Sequence, residues 1–187
     1  MRILCNFINF FFTFLFSIQI FSSTAAHEAY LDNKIFEGKQ NAISISVGKN
    51  INPPYIYENI NIIDIVYAQP NTFFRIDGAK KVELFSIHVN NNPKYDDLVP
   101  EIIFGLSQSI YLFKASSWFA ELGVGIYMQT KVTSRISSGF TFGERFSIGY
   151  KFQSSSLEIY LRHLSNAGIT EENHGYNPQG ITYSYYF

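Results

Sequence analysis

Cysteine is almost absent from the chain. The single Cys5 excludes a disulfide scaffold and a zinc site built from cysteines. Charge is scarce as well, with Asp, Glu, Lys and Arg making up 16% of the 187 residues, against about 25% in an ordinary soluble domain. A formal net charge of -1 leaves no basic field for a nucleic-acid partner and no acidic tail. No carboxylate cluster has calcium-loop spacing, so no metal is expected, and no cofactor is implied. Low charge beside 47% hydrophobic residues excludes a disordered chain. Beyond the N-terminal segment, no window holds the roughly 18 consecutive apolar residues of a membrane helix. Helical spacing of apolar residues is poor. What the chain does have is aromatic surface, 19 Phe and 13 Tyr beside one Trp.

Residues Met1 to Ala26 read as a secretory signal. Arg2 supplies the positive start, Ile3 to Ile20 the apolar stretch, and Ser22, Ser23, Thr24, Ala25 and Ala26 the small residues of a cleavage site. The alternative is an uncleaved membrane anchor. Cys5 precedes the apolar stretch, where a lipidation site would not lie. Cleavage leaves residues 27–187 as one domain without cysteine, which suits an oxidising compartment.

That domain alternates with a period of two in segments of about ten residues. The expected strands are Asn41–Lys49, Ile60–Arg75, Ala79–Val89, Glu101–Phe113, Trp118–Gln129, Gly139–Phe152, Ser155–Asn166 and Pro178–Phe187. Pro70 interrupts the second, so the following turn is expected at Pro70-Asn71 or at Asp77-Gly78. Longer polar connections, near Asn50–Asn59, Asn90–Pro100, Thr130–Ser138 and Ala167–Asn177, alternate with tight turns near Asp77-Gly78, Lys114–Ser117 and Gln153-Ser154. Outer-membrane barrels sort their loops in this way, and a soluble β-sandwich has no reason to. In Gly139–Phe152, one face carries Phe140, Phe142, Glu144, Phe146, Ile148, Tyr150 and Phe152. The other carries Thr141, Gly143, Arg145, Ser147, Gly149 and Lys151. In a small barrel the first face meets lipid and the second fills the interior. The expected fold is an all-β, eight-stranded antiparallel transmembrane barrel, with a soluble β-domain as the alternative.

In Ser155–Asn166, Leu157, Ile159, Leu161, His163 and Ser165 share the outward side. The stripe is apolar until it ends in His and Ser, a pair that is costly on a lipid-facing surface unless it lies at the interface. At this spacing His163 can act as general base for a Ser165 nucleophile. The alternative is an interfacial His and Ser without chemistry. A two-residue turn at Gln153-Ser154 would set Glu144 opposite His163 and Phe142 opposite Ser165. Glu144 would then be the one carboxylate beside the histidine, able to orient the ring and stabilise an imidazolium, or a membrane-edge Glu without a role. The Asn166 amide and the Gly168 N–H could form an oxyanion hole, or serve only as turn residues. Asn177 opens the last strand in phase with Ile181, Tyr183 and Tyr185, and is also expected to face outward. Glu171, Glu172 and His174 read as solvated loop residues, His88 as interior, and His27 as without a role.

The run Leu161-Arg162-His163-Leu164-Ser165-Asn166-Ala167-Gly168-Ile169, followed by Asn173-His174-Gly175-Tyr176-Asn177, resembles the PagL family of lipid A 3-O-deacylases. Weaker similarity extends to Phe142-Gly143-Glu144-Arg145 and Glu121-Leu122-Gly123-Val124-Gly125. The resemblance implies an eight-stranded barrel in the outer membrane of a Gram-negative bacterium, acting on lipid A of lipopolysaccharide to release a 3-hydroxy fatty acid. It implies His163 as base, Ser165 as nucleophile and Asn166 as part of the oxyanion hole. The chain departs from the family at the triad's acid position, where Asn177 stands in place of a Glu. An Asn can hold an imidazole but cannot offset its charge, so Asn177 is expected to orient the ring and Glu144 to supply the charge. An outer-membrane phospholipase and a non-catalytic small barrel are the alternatives, and a homodimer is left open.

Overall fold

The computed structural model describes residues 35–37, 39–51, 59–90, 101–132, 135–171 and 173–187. The segment read as a secretory signal, and His27, lie outside the described residues. Eight strands follow one another: β1 (Ala42–Asn50), β2 (Asn59–Phe73), β3 (Ile76–Asn90), β4 (Glu101–Ala115), β5 (Trp118–Gln129), β6 (Phe140–Lys151), β7 (Ser155–Ser165) and β8 (Pro178–Tyr186). Each pairs antiparallel with the next, and β8 closes on β1 through pairs such as Ile45↔Tyr183. Closure removes the unpaired strand edges that an open sheet would present.

Side-chain alternation sorts the residues between two surfaces. On β6, Thr141, Gly143, Arg145, Ser147, Gly149 and Lys151 are buried in the barrel. Phe140, Phe146, Ile148, Tyr150 and Phe152 are exposed on its outside. The outward faces of the other strands repeat this with Ile43, Ile45, Val47, Leu84, Leu106, Ile126, Leu157, Ile159 and Tyr183, among others. A contiguous apolar exterior of this extent is out of place in water and matches a lipid environment. The low charge of the sequence follows from that surface, and on the described strands Asp64, Glu83, Glu121, Arg145, Glu158 and Arg162 are buried inside.

The interior is packed and polar. Arg162 donates from Nη2 to Glu83 Oε2 at 2.6 Å and lies 3.5 Å from Asp64 Oδ2. Arg145 donates to Thr182 Oγ1 at 2.7 Å and pairs with Glu158 at 3.4 Å. Lys81 pairs with Glu121. Removing one member of such a buried pair strands its partner, at a cost of about 3–5 kcal/mol. Apolar clusters close both ends of the lumen. Ile35 and Phe36 pack with Tyr111, Phe119 and Tyr186 at the end of the tight turns. Ile136, Leu164 and Tyr176 pack with Phe85, Ile103 and Tyr127 at the other end.

The turn after β2 differs from both expected positions. It falls at Phe74-Arg75, with φ of 49° and 66°, and β3 begins at Ile76. Pro70 stays within β2, opposite Ala79. The reason is local: β1 pairs with β2 only as far as Ala42↔Ala68, so Pro70 interrupts no bond to β1. The tight turns after β4 and β6 fall at Ser116-Ser117 and Gln153-Ser154, as the sequence leads one to expect. His88 pairs by backbone with Asn61, and its side chain lies outside the described ones.

Candidate active site

His163 and Ser165 are the last outward residues of β7, at the end of the barrel that carries the long connections. The Gln153-Ser154 turn sets the β6–β7 register, with Glu144 opposite His163 and Phe142 opposite Ser165. This is the pairing that the sequence predicts. On the other side β7 pairs with β8 through Leu161↔Gln179, and the same ladder continues as a bridge at Leu164↔Tyr176. Leu164 N donates to the Tyr176 carbonyl at 2.8 Å, and Tyr176 N donates to the Leu164 carbonyl at 2.9 Å. Residue 163 therefore lies opposite residue 177, and Glu144, His163 and Asn177 form one outward row across β6, β7 and the residue that leads into β8.

Within that row His163 Nδ1 donates to Asn177 Oδ1 at 2.7 Å. The bond selects the tautomer that carries its proton on Nδ1 and keeps a lone pair on Nε2. A base needs that nitrogen free. Both His163 and Ser165 are half-buried. No hydrogen bond joins them among the described residues, so the hydroxyl is free to rotate, and catalytic contacts commonly tighten only when substrate binds. Glu144 is half-buried opposite the imidazole and makes no hydrogen bond to it. Any effect of its charge on the ring acts through space.

Asn177 is held at three points. Its side chain takes the His163 bond, its N–H donates to Asn50 Oδ1, and its carbonyl accepts from Ile51 N at 3.0 Å. The end of β1 thus fixes the residue that fixes the histidine.

Asn166 is fully buried, and its groups organise the loop after β7. Oδ1 accepts from Gly168 N at 2.8 Å, Nδ2 donates to Thr170 Oγ1 at 2.5 Å, and the backbone N–H donates to Asn173 Oδ1 at 2.9 Å. The carbonyl accepts from Ile169 N at 3.1 Å. Ala167 and Gly168 both take positive φ, 54° and 76°, as this tight turn requires. The two candidate oxyanion donors are adjacent in space and bonded to each other.

Arg135 and Gly175 escape a reading of the sequence. Arg135 lies in the β5–β6 connection, is buried, and donates from Nη1 to the Gly175 carbonyl at 3.1 Å. Its own carbonyl accepts from His174 N at 2.7 Å, and its guanidinium lies 5.4 Å from the centre of the Tyr176 ring. Ser137 Oγ meets Thr170 Oγ1 at 2.8 Å, which joins the same two loops. The connection read as a polar loop is thus the buttress of the site loop. No periodicity marks Arg135 in the sequence, because its neighbours belong to another loop. Gly175 has φ of 66°, and a Cβ there would lie 2.6 Å from the Leu164 carbonyl oxygen and 3.5 Å from His163 Cε1. A glycine is required by the positive φ and by the close approach of the returning chain to the Leu164 carbonyl. On the other flank, Leu106, Val124, Ile126, Phe142 and Glu144 line a shallow outward groove across β4, β5 and β6.

Comparison with known proteins adds to this geometry. Residues 74–186 match the family described as lipid A 3-O-deacylase (PagL). The lipid A deacylase PagL of Bordetella bronchiseptica is 34% identical over 74 residues, a match covering 37% of this chain and 42% of that relative's length. In structure, the chain is similar to the outer-membrane enzyme PagL, with a TM-score of 0.58 and 16% identity over 77% of this chain and 98% of that one. It is also similar to the Yersinia pestis outer membrane protein Ail, with a TM-score of 0.50 and 8% identity over 80% of this chain and 99% of that one. At these identities the structural likenesses speak for the barrel alone.

Proposed function

This chain belongs to the lipid A 3-O-deacylase (PagL) family, and from that premise we propose that it is an outer-membrane hydrolase that removes the ester-linked 3-hydroxyacyl chain at the 3-position of lipid A, with Ser165 as nucleophile and His163 as base. The observation that carries the reading is the His163–Asn177 bond on the outward, lipid-facing side of β7. It holds a histidine through Nδ1, with Nε2 outside that bond, two residues from a serine, where a lipid ester arrives laterally from the outer leaflet.

Ser165 Oγ attacks the ester carbonyl as Nε2 takes its proton. The tetrahedral intermediate collapses, the bond to the sugar oxygen breaks, and His163 returns the proton to that oxygen. Water then attacks the acyl-enzyme, again losing its proton to His163, the bond between the acyl carbon and Ser165 Oγ breaks, His163 returns the proton to Oγ, and the 3-hydroxy fatty acid leaves. Asn177 holds the ring, and Glu144 offsets part of the imidazolium charge from the neighbouring strand. Gly168 N–H becomes an oxyanion donor when substrate displaces its bond to Asn166 Oδ1, and Asn166 Nδ2 becomes one when it leaves Thr170 Oγ1. Residues 1–26 direct secretion and the barrel occupies the outer membrane.

Mass spectra of lipid A from cells carrying the wild-type chain or Ser165→Ala test the reading. The wild type removes the 3-O-linked chain. Ser165→Ala, present at the same level as a folded barrel, leaves lipid A intact. Identical spectra from the two strains sink the enzyme reading.

A further inference from the structure

The outward face is polar along one more row than the site itself uses. One step below Glu144, His163 and Asn177 the pairing runs Phe146↔Leu161, Leu161↔Gln179, Gln179↔Lys49 and Lys49↔Asn61. The row is apolar on β6 and β7 and turns polar on β8, β1 and β2. Lys49 and Gln179 are exposed and Asn61 is half-buried. Among the described outward residues on the strands in this half of the barrel, Lys49 is the one cation and Glu144 the one anion. They flank His163 on opposite sides. Glu144 is on the adjacent strand, about 5 Å away between backbones, and Lys49 is two strands away and two residues lower, about 12 Å. Lys49 makes no ion pair among the described residues, although Ile51, two residues on, is bonded to Asn177.

An ammonium on a lipid-facing row is costly unless its stem carries it to the headgroup level or an anion meets it there. We propose that Lys49, with Gln179 and Asn61 beside it, is the subsite for a phosphate group on the glycolipid headgroup, and that Lys49 and Glu144 together set which way round the substrate lies across His163 and Ser165. The inference rests on the reading of His163 and Ser165 as the ester-cleaving pair.

The two flanks differ in the way such an orientation needs. Towards β8, β1 and β2, an anionic headgroup meets one positive charge and two amides, each able to donate hydrogen bonds to phosphate oxygens. Towards β6, β5 and β4, it would meet the Glu144 carboxylate and then the apolar groove of Val124, Ile126, Leu106 and Phe142. Like charge at Glu144 opposes a phosphate on that flank, where the lining Ser107 already donates to Glu83 and the lining Gln108 to Asn71 and the Ser109 carbonyl, and acyl chains fit its apolar wall. An amphiphile with charge at one end of its headgroup is therefore held in one orientation, with its ester over Ser165.

The test compares two glycolipids with the same acyl chains, one phosphorylated and one enzymatically dephosphorylated, presented in neutral detergent micelles. Lys49→Ala is expected to raise KM for the phosphorylated lipid about fivefold, with kcat within about twofold, and to leave both constants for the dephosphorylated lipid within about twofold. Lys49→Arg keeps the wild-type preference. A Lys49→Ala effect of equal size on both lipids, or none on either, overturns the subsite and leaves the catalytic pair standing. So does an effect that shows only when anionic phospholipid is added to the micelles. Binding of the same two lipids to Ser165→Ala, with and without Lys49→Ala, separates the two readings. Discrimination that persists there supports the subsite without turnover. Hydrolysis that survives Ser165→Ala overturns the catalytic reading and, with it, the orientation argued from it.

Discussion

His163 Nδ1 and Asn177 Oδ1 are 2.7 Å apart, and that contact determines which nitrogen of the ring is free for chemistry. An amide holds the tautomer as a carboxylate would, but it would bring no charge to the imidazolium that a general-base His163 forms. Asn177→Ala should lower kcat about 100-fold by releasing the ring from its working orientation, with the barrel assembled normally. Asn177→Asp should raise kcat severalfold above the wild type, because the same bond then carries a negative charge. Steady-state kinetics on purified enzyme in detergent check both, and an Asp variant as slow as the Ala variant refutes the orienting role.

Glu144 stands opposite His163 without bonding to it. A through-space charge at one strand spacing, partly exposed, is worth less than a bonded one. Glu144→Gln should lower kcat only a few-fold in the wild type, and by nothing measurable in an Asn177→Asp background, where the ring has its own carboxylate. An equal loss in both backgrounds would mean that Glu144 acts elsewhere than on the imidazolium.

These two residues mark what the sequence could and could not disclose. Alternation is strict in β6 and β7, and the turn between them is short. Pairing Glu144 with His163 therefore followed from counting outward from Gln153-Ser154. The long and tight connections were legible for the same reason. The Phe74-Arg75 turn was not, because neither residue is a usual turn former and Pro70 suggested an earlier break. The contacts of the site loop were also beyond reach. Arg135 reaches Gly175, and Asn50 reaches Asn177, through closure of the barrel and folding of loops over its mouth, and neither event leaves a period in the sequence.

Arg135 joins the β5–β6 connection to the loop that ends in Asn177. Its removal leaves His163, Ser165 and Asn177 unaltered but takes the side-chain donor from the Gly175 carbonyl and the cation from the Tyr176 ring. Arg135→Ala should lower kcat about tenfold with KM within about twofold, since small misplacements of oriented groups are costly to rate. Arg135→Lys should recover part of that loss by donating to the same carbonyl. A KM effect without a kcat effect would place Arg135 in substrate contact instead.

Gly168 and Gly175 both have positive φ, 76° and 66°, yet their surroundings differ. Nothing lies within 4 Å of a Cβ at Gly168, whereas one at Gly175 meets the Leu164 carbonyl oxygen at 2.6 Å. Gly168→Ala carries the backbone strain alone, about 1 kcal/mol. Gly175→Ala adds a clash with the Leu164 carbonyl and so strains the Leu164–Tyr176 bridge that sets Asn177 opposite His163. Gly175→Ala should therefore lose more than ten times the activity lost by Gly168→Ala. Comparable losses would show that the close approach to the Leu164 carbonyl is not what Gly175 provides.

Asn166 tests whether the loop after β7 is scaffold, oxyanion hole or both. Its amide holds Gly168 N through Oδ1 and Thr170 through Nδ2. Asn166→Asp keeps the acceptor for Gly168, so the turn survives, but loses the amide donor and places negative charge where an oxyanion would develop. If Asn166 contributes a donor to the transition state, Asn166→Asp should lower kcat about 100- to 1000-fold, the usual cost of one oxyanion donor, with substrate binding little changed. Thr170→Val removes the partner of Nδ2 but leaves that donor present, and should cost much less. If instead the residue only builds the turn, Asn166→Asp should be nearly as active as the wild type and Asn166→Ala the damaging change, because Ala alone leaves the Gly168 N–H without its acceptor. The order of the two variants by kcat decides the matter: Asp below Ala identifies a donor to the oxyanion, and Ala below Asp identifies a turn.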